Sequence, residues 1–301
     1  NLEFHRNLMI IIPPTITPLT RPELSSFVIA TIEAAGVPVP PSSRLRRMFD
    51  LYHSGIGTIE PDHPDYEIAL EGERDMQLLA FAFDQLATTE TSGVFGDLLK
   101  KLVHDSVLPQ RDRTHSPGRD ASFEIYVGAV CTAAQLLPVE WEEPDVSCVL
   151  DNAKFVFAAK RLKSIRSLQK RVSKAVKQIA RSGFPGVIVL DVGLAFNPDN
   201  HRIRRMHETV FFSEYEANFN ATWSEYQSKV QKAMAQSNVL GVIVHDYHVR
   251  QQSDGWQLAG MTIRVAAEAR SAEEQRQFKR LSTLYTYGLP NQSAATSPSL
   301  V

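Results

Sequence analysis

Apolar and polar residues follow two different patterns along the chain, and the change falls near residue 112. Before that point, apolar residues recur at the three- and four-residue spacing of amphipathic helices. This spacing predicts four helices, at 22–35, within RLRRMFDLYH, at 73–88 and at 94–105. No strand pattern comparable to the later ones occurs before residue 110. The first part of the sequence therefore predicts a mostly helical N-terminal domain over residues 1–112.

The polar segment 108–120 contains two prolines and one glycine, and it is typical of a boundary loop. Helical and strand patterns then alternate. The predicted elements are a helix at 122–136, a hairpin within 142–161, a basic helix at 165–182, a strand at 186–193, a helix at 214–236, strands in VLGVIVHDY and WQLAGMTIRV, and a helix at 271–285. This order predicts an α/β domain with a mixed sheet over residues 113–301. The final segment NQSAATSPSL has the composition of a disordered tail.

The hairpin is predicted to turn at Asp151-Asn152, because Asp and Asn tolerate the positive φ that a two-residue turn requires. Counting back from this turn places Asp145 opposite Ala158, with Lys160 as its diagonal neighbour on the same face. Any loop with an even number of residues keeps these side chains on one face. The opposite face would carry Phe155, Phe157 and Ala159.

The net charge of the whole chain is only −2, so a surface that binds nucleic acid must be confined to one part of the protein. From Asn152 to Leu190 there is no acidic residue, while ten lysines and arginines occur. Solvated helix faces normally mix both signs, so charge of one sign favours contact with a phosphate backbone. The residues predicted to contact nucleic acid are Arg161, Lys163, Arg171 and Lys174.

Together with Glu124, the polar face of the hairpin predicts a catalytic site. Glu124 stands between Phe123 and Ile125 in an apolar helical segment. Hydrolysis of a phosphodiester needs a hard divalent cation held by carboxylates, and a nearby lysine can stabilise the developing negative charge. Glu124, Asp145 and Lys160 supply this minimum set.

These residues resemble the PD-(D/E)xK nuclease superfamily, which has a restriction-endonuclease-like fold. The resemblance rests on Glu124 in a helix, Pro144-Asp145 at the start of a strand, the segment FVFAAKR, and a basic helix that contains a glutamine. It covers roughly residues 115–195 and does not extend to the N-terminal helices. It implies a core in which helices flank a mixed sheet.

The resemblance also implies roles for individual residues. Glu124, Asp145 and the backbone carbonyl of Ala159 would hold Mg²⁺ or Mn²⁺. Lys160 would be the catalytic lysine, and Gln178 resembles an auxiliary polar residue of several branches of the superfamily.

The sequence departs from the superfamily pattern at Ala158, where an Asp or Glu is usual. Three explanations stay open. Glu124 and Asp145 can suffice, helped by Glu143. The alanine can be an introduced inactivating substitution. The protein can also be a natural pseudo-nuclease that binds nucleic acid without cutting it.

The function expected from the sequence is a Mg²⁺-dependent endonuclease acting on DNA, with RNA not excluded. By analogy it would serve antiviral defence or restriction, as a homodimer or as a partner subunit of a defence complex. The rival expectations are a non-catalytic nucleic-acid-binding or scaffold subunit on the same fold, and a module that binds an acidic protein. The apolar opening NLMIIIPPTITPL is too short to span a bilayer and lacks a cationic leader, so a cytoplasmic protein without membrane contact is expected.

Two other groups of residues have features of functional sites. His245 and His248 have a spacing that suggests a metal, but residues i and i+3 of a strand point to opposite faces, so a metal site there is not favoured. Asp191 ends a predicted strand, where α/β proteins often place functional groups, and a supporting role near the site is one interpretation.

Overall fold

The computed structural model describes residues 9–10, 21–55, 59–60, 62–86, 93–106, 116–196, 208–235, 237–252 and 255–290. Its helices are α1 (Arg21–Ala34), α2 (Arg44–Ser54), α3 (Tyr66–Leu86), α4 (Gly93–Val103), α5 (Pro117–Ala133), α6 (Leu168–Ser182), α7 (Gly193–Phe196), α8 (Glu208–Met234) and α9 (Ala272–Tyr287). Its strands are β1 (Met9–Ile10), β2 (Val146–Leu150), β3 (Ala153–Arg161), β4 (Gly186–Asp191), β5 (Val239–Gln252) and β6 (Gly255–Ala266). The tail predicted to be disordered lies outside the described residues.

The strands form one mixed sheet in the order β1-β6-β5-β4-β3-β2. Strands β3, β4 and β5 are parallel to one another. Strand β2 runs antiparallel to β3, β6 runs antiparallel to β5, and the short edge strand β1 runs antiparallel to β6. The predicted α/β class with a mixed sheet flanked by helices is therefore confirmed.

The hairpin between β2 and β3 has the predicted register. Leu150 pairs with Ala153, and the pairing continues to Val146 with Phe157. Asp151 and Asn152 have φ values of 51° and 62°, as a turn with two left-handed residues requires. One further step along the ladder brings Asp145, which immediately precedes β2, level with Ala158.

The sheet separates two hydrophobic cores. The first core lies between the sheet and helices α1 to α5 with α9, and it receives Phe155, Phe157 and Ala159 from β3. The second core lies between the sheet and helices α6 to α8, and it receives Val156 and Ala158 from β3. The alternation predicted for β3 is thus confirmed, because residues of opposite parity enter different cores.

The N-terminal region is helical as expected, but its apolar side chains do not form a core of their own. Ile32 in α1, Met48 in α2 and Leu79 in α3 belong to the same hydrophobic core as Phe157 and Val189 in the sheet. The described part of the core therefore does not divide at the predicted boundary between residues 112 and 113. The N-terminal helices form one layer of a shared core.

Candidate functional site

Lys160 and Asp145 meet at the carboxyl end of β3. The Lys160 ammonium group donates a short hydrogen bond to Oδ2 of Asp145, and both side chains are at least nine-tenths buried. The same oxygen accepts a hydrogen bond of 2.8 Å from the backbone N–H of Ala159. The predicted convergence of the hairpin carboxylate and lysine is therefore present.

The backbone of β3 also directs a carbonyl oxygen toward this position. Val156 donates its N–H to Pro185, and Leu162 donates to Asp191, so residues of even number bond toward β4. Ala159 has the other parity, and its N–H points to Asp145. Because N–H and C=O of one strand residue point to the same edge, the Ala159 carbonyl faces the Asp145 edge as well.

Glu124 completes the group from α5, which packs against β3. Burial, followed by the negative charge of Asp145, raises the pKa of Glu124 to about 8, while Lys160 and Lys101 act to lower it. Burial also raises the pKa of Asp145 to about 6, although the charge and hydrogen bond of Lys160 oppose this shift. The negative charge of Asp145 thus adds to burial in disfavouring the ionisation of Glu124 in a water-poor environment.

This environment fits a hard divalent cation. Two carboxylates and one backbone carbonyl are the oxygen ligands that Mg²⁺ and Mn²⁺ accept, and a bound cation would favour the ionised form of both acids. The described residues contain no cluster of three or more His, Cys, Asp or Glu side chains with metal-binding geometry. A site here would therefore use Glu124, Asp145 and the Ala159 carbonyl, with water filling the other positions.

Gln178 supports the segment that carries Asp145. It lies on α6 and is 7% exposed, among the apolar residues of the second core. Its Nε2 donates a hydrogen bond of 3.3 Å to the carbonyl of Pro144. Its Oε1 is buried and has no hydrogen-bond partner in the part of the chain that the structure describes. The amide thus holds the backbone beside Asp145 and leaves one acceptor free.

Ala158 lies on the predicted face but in apolar surroundings. It is fully buried in the second core with Val156 and Leu162, and it pairs with Ile188 of β4. At this position, where the resemblance implies a further carboxylate, the structure has hydrophobic packing. Glu143, expected to help Glu124 and Asp145, is exposed, and its Oε1 lies 3.8 Å from Nη2 of Arg181.

The structure corrects the prediction that Arg161 contacts nucleic acid. Arg161 is 2% exposed, and its guanidinium forms ion pairs with Asp75 and Asp191. It follows Lys160 in a strand, so its side chain points to the opposite face, into the helical layer. The alternation of β3 predicts this orientation, whereas the run of positive charge by itself predicts a single basic surface.

The other residues predicted to contact nucleic acid lie nearer to solvent. Lys174 is exposed on α6, Arg171 is half-buried on the same helix, and Lys163 is half-buried between β3 and α6. Lys170 and Lys177 are exposed on α6 as well. A basic surface on α6 therefore stands beside the strand that carries Lys160.

Sequence reasoning missed a network of buried charges between the N-terminal helices and the sheet. Its members are Arg44, Glu71, Arg74, Asp75, Asp105, Arg119, Arg161 and Asp191. Four cations face four anions, so the network is neutral overall. Glu71 and Asp75 lie four residues apart in α3, on one side of the helix, and this spacing could have indicated it. Asp191 belongs to this network and not to the carboxylate site.

His245 does not form a metal site among the described residues. Its Nδ1 lies 2.8 Å from Thr262 Oγ1, and its Nε2 lies 3.1 Å from the hydroxyl of Tyr285. Burial lowers the pKa of His245 to about 3, so the imidazole is neutral. Both ring nitrogens of His245 are engaged within the core.

Comparisons with models of protein families, with curated proteins and with solved structures gave no match for this chain. Across the ranges that the structure describes, none of the helices has both the length and the apolar character needed to cross a membrane.

Proposed function

We propose that the protein is a Mg²⁺- or Mn²⁺-dependent nuclease of the PD-(D/E)xK type that hydrolyses phosphodiester bonds in DNA. The observation that carries this proposal is the convergence of Asp145 and Lys160 at the end of β3, with Glu124 close enough for its pKa to respond to both. Helix α5, the residue before β2 and the end of β3 supply Glu124, Asp145 and Lys160 respectively. Such a buried group of acids and an amine is hard to explain by stability alone, because burying ionisable groups is unfavourable.

The residues divide the proposed chemistry among them. Glu124, Asp145 and the Ala159 carbonyl would hold the cation. When bound, the cation would supply Lewis-acid activation of water and neutralise charge on the phosphate. The Lys160 ammonium, now paired with Asp145, is the donor that would stabilise negative charge developing on the phosphate oxygens. Gln178 would keep the Asp145 segment in place.

The basic surface of α6 supports a polyanionic substrate. Lys170, Lys174 and Lys177 are exposed, and Arg171 is half-buried, with no acidic residue in this helix. A helix face that carries only positive charge, next to a buried carboxylate site, suits the phosphate backbone of a nucleic acid. The defence setting and the homodimer expected from the sequence remain predictions.

Cleavage assays test the proposal. The unchanged chain and the variant Ala158→Glu are incubated with single- and double-stranded DNA and with RNA, in Mg²⁺, in Mn²⁺ and in chelator. Metal-dependent cleavage of DNA is expected, and Lys160→Met should abolish it. Lys154→Met is the matched control, because Lys154 lies in the same strand but pairs with Glu142 on the surface. Absence of cleavage by both proteins on every substrate would contradict the proposal.

The fully buried alanine at position 158 favours a second candidate function, a non-catalytic nucleic-acid-binding subunit on the same fold. The packing around Ala158 leaves the site one carboxylate short of the superfamily pattern. This alternative expects salt-sensitive binding of DNA without turnover, unchanged by chelator. A module that binds an acidic protein instead would show no retention on DNA.

A further inference from the structure

One buried guanidinium joins the strand of Lys160 to the helical layer. Arg161 donates from Nε to Asp191 Oδ2 at 2.6 Å and from Nη2 to Asp75 Oδ1 at 2.8 Å. Its Nη1 donates to the backbone carbonyl of Arg119 at 3.3 Å. A single side chain of β3 thus contacts β4, α3 and α5, and it is 2% exposed.

These contacts connect Arg161 to the segments that carry the residues of the candidate site. Arg161 follows Lys160 in β3, so the two side chains leave one short stretch of backbone in opposite directions. The Arg119 carbonyl belongs to α5, five residues before Glu124. Arg161 therefore bridges the backbone that carries Lys160 and the helix that carries Glu124.

The surrounding charges hold the bridge in one arrangement. Burial opposes ionisation of Asp75, yet the positive charges of Arg161 and Arg74 keep its pKa below the ordinary value. Asp191 also accepts a hydrogen bond of 3.1 Å from the backbone N–H of Gly193. Both carboxylates are thus fixed by several partners, which leaves the guanidinium little freedom to rotate.

We infer that Arg161 is a positioning residue, which sets the spacing between Glu124 and Lys160 through Asp75, Asp191 and the Arg119 carbonyl. The N-terminal helical layer is then part of the catalytic unit and not a detachable recognition module. This inference rests on the proposed metal site, and it assigns the buried charge network a role beyond stability.

The test uses Arg161→Lys in the full chain. Lysine keeps the charge but cannot reach three elements with one planar fork. Arg280→Lys is the matched control, since Arg280 pairs with Asp151 at the exposed turn of the same hairpin. Mn²⁺ binding is measured by electron paramagnetic resonance, cleavage by kcat and KM, and folding by circular dichroism.

The folded Arg161→Lys variant is expected to bind Mn²⁺ about tenfold more weakly, as is usual when support for a metal ligand is lost. Its kcat at saturating metal should fall by about the same factor, with KM for DNA within about twofold of the unchanged chain, because the basic surface of α6 is untouched. Arg280→Lys should change neither quantity. If Arg161→Lys does not fold, Asp75→Asn tests the same contact by changing the partner of Arg161 in α3. This variant should show the same loss of Mn²⁺ binding and of kcat.

Three results distinguish a failure of the positioning role from a failure of the proposed function and from the absence of a metal site. Unchanged Mn²⁺ binding and kcat in a folded Arg161→Lys or Asp75→Asn variant would overturn the positioning role alone. Mn²⁺ binding by the unchanged chain without cleavage would count against the proposed function, while the binding readout still tests Arg161. No Mn²⁺ binding by the unchanged chain would remove the metal site, and with it the inference.

Discussion

Replacing Glu124 with glutamine should make the metal-free protein more stable, and increasingly so as the pH rises. Burial and Asp145 raise the pKa of this carboxyl from 4.5 to about 8. The folded chain then binds the Glu124 proton more tightly than the unfolded chain does. Folding is therefore penalised as the pH rises above 4.5, and the penalty stops growing above pH 8. Glutamine has nearly the same shape but no charge to bury.

The size of the effect follows from the two pKa values. Between pH 5 and pH 8 the free energy of unfolding of the unchanged chain should fall, relative to Glu124→Gln, by on the order of 3 kcal/mol. Asp145 is present in both proteins, and its raised pKa lowers the stability of both in the same direction. Because the two charges interact, the difference between the two proteins reports the ionisation of Glu124 together with its coupling to Asp145.

Urea unfolding at pH 5, 6, 7 and 8 in the presence of chelator measures this difference. Glu142→Gln is the control, because Glu142 belongs to the same hairpin region but is exposed. Although its slight burial opposes the shift, its hydrogen bond with Lys154 lowers its pKa. The stability difference between Glu142→Gln and the unchanged chain should not grow over this pH range. Parallel stability curves for Glu124→Gln and the unchanged chain would refute the electrostatic description of the site.

Two further variants test other parts of the site. Gln178→Leu removes the hydrogen bond to Pro144. Urea unfolding should show a loss of stability of about 1 kcal/mol, and cleavage assays should show a lower kcat. An unchanged kcat would exclude a supporting role of Gln178. Replacing Arg171 and Lys174 together by glutamine should weaken DNA binding and reduce the slope of log K against log salt by about 2. The control pair Arg276→Gln and Lys279→Gln on α9 should leave binding unchanged, and equal effects of both pairs would argue against a specific basic surface.

Local chemistry made part of this structure predictable from the sequence. The Asp-Asn turn sets the hairpin register, and strand alternation then places Asp145 and Lys160 on one face. These features depend on near neighbours in sequence, so periodicity and turn chemistry are sufficient to find them.

The features that escaped prediction depend on contacts between distant segments. Helical periodicity shows which face of α3 is apolar, but it does not show that this face packs on the sheet. The role of Arg161 depends on Asp75, which is 86 residues away in sequence. The environment of Ala158 likewise depends on α6 and β4, and the motif alone could not show that its neighbours are hydrophobic.

A crystal of the protein soaked in Mn²⁺ and measured at the manganese absorption edge gives the most direct test. An anomalous peak is expected between the carboxylates of Glu124 and Asp145, within ligand distance of the Ala159 carbonyl, and it should disappear in Glu124→Gln crystals. A well-ordered Glu124 and Asp145 with no peak at saturating Mn²⁺, or a peak elsewhere only, would contradict the proposed metal site.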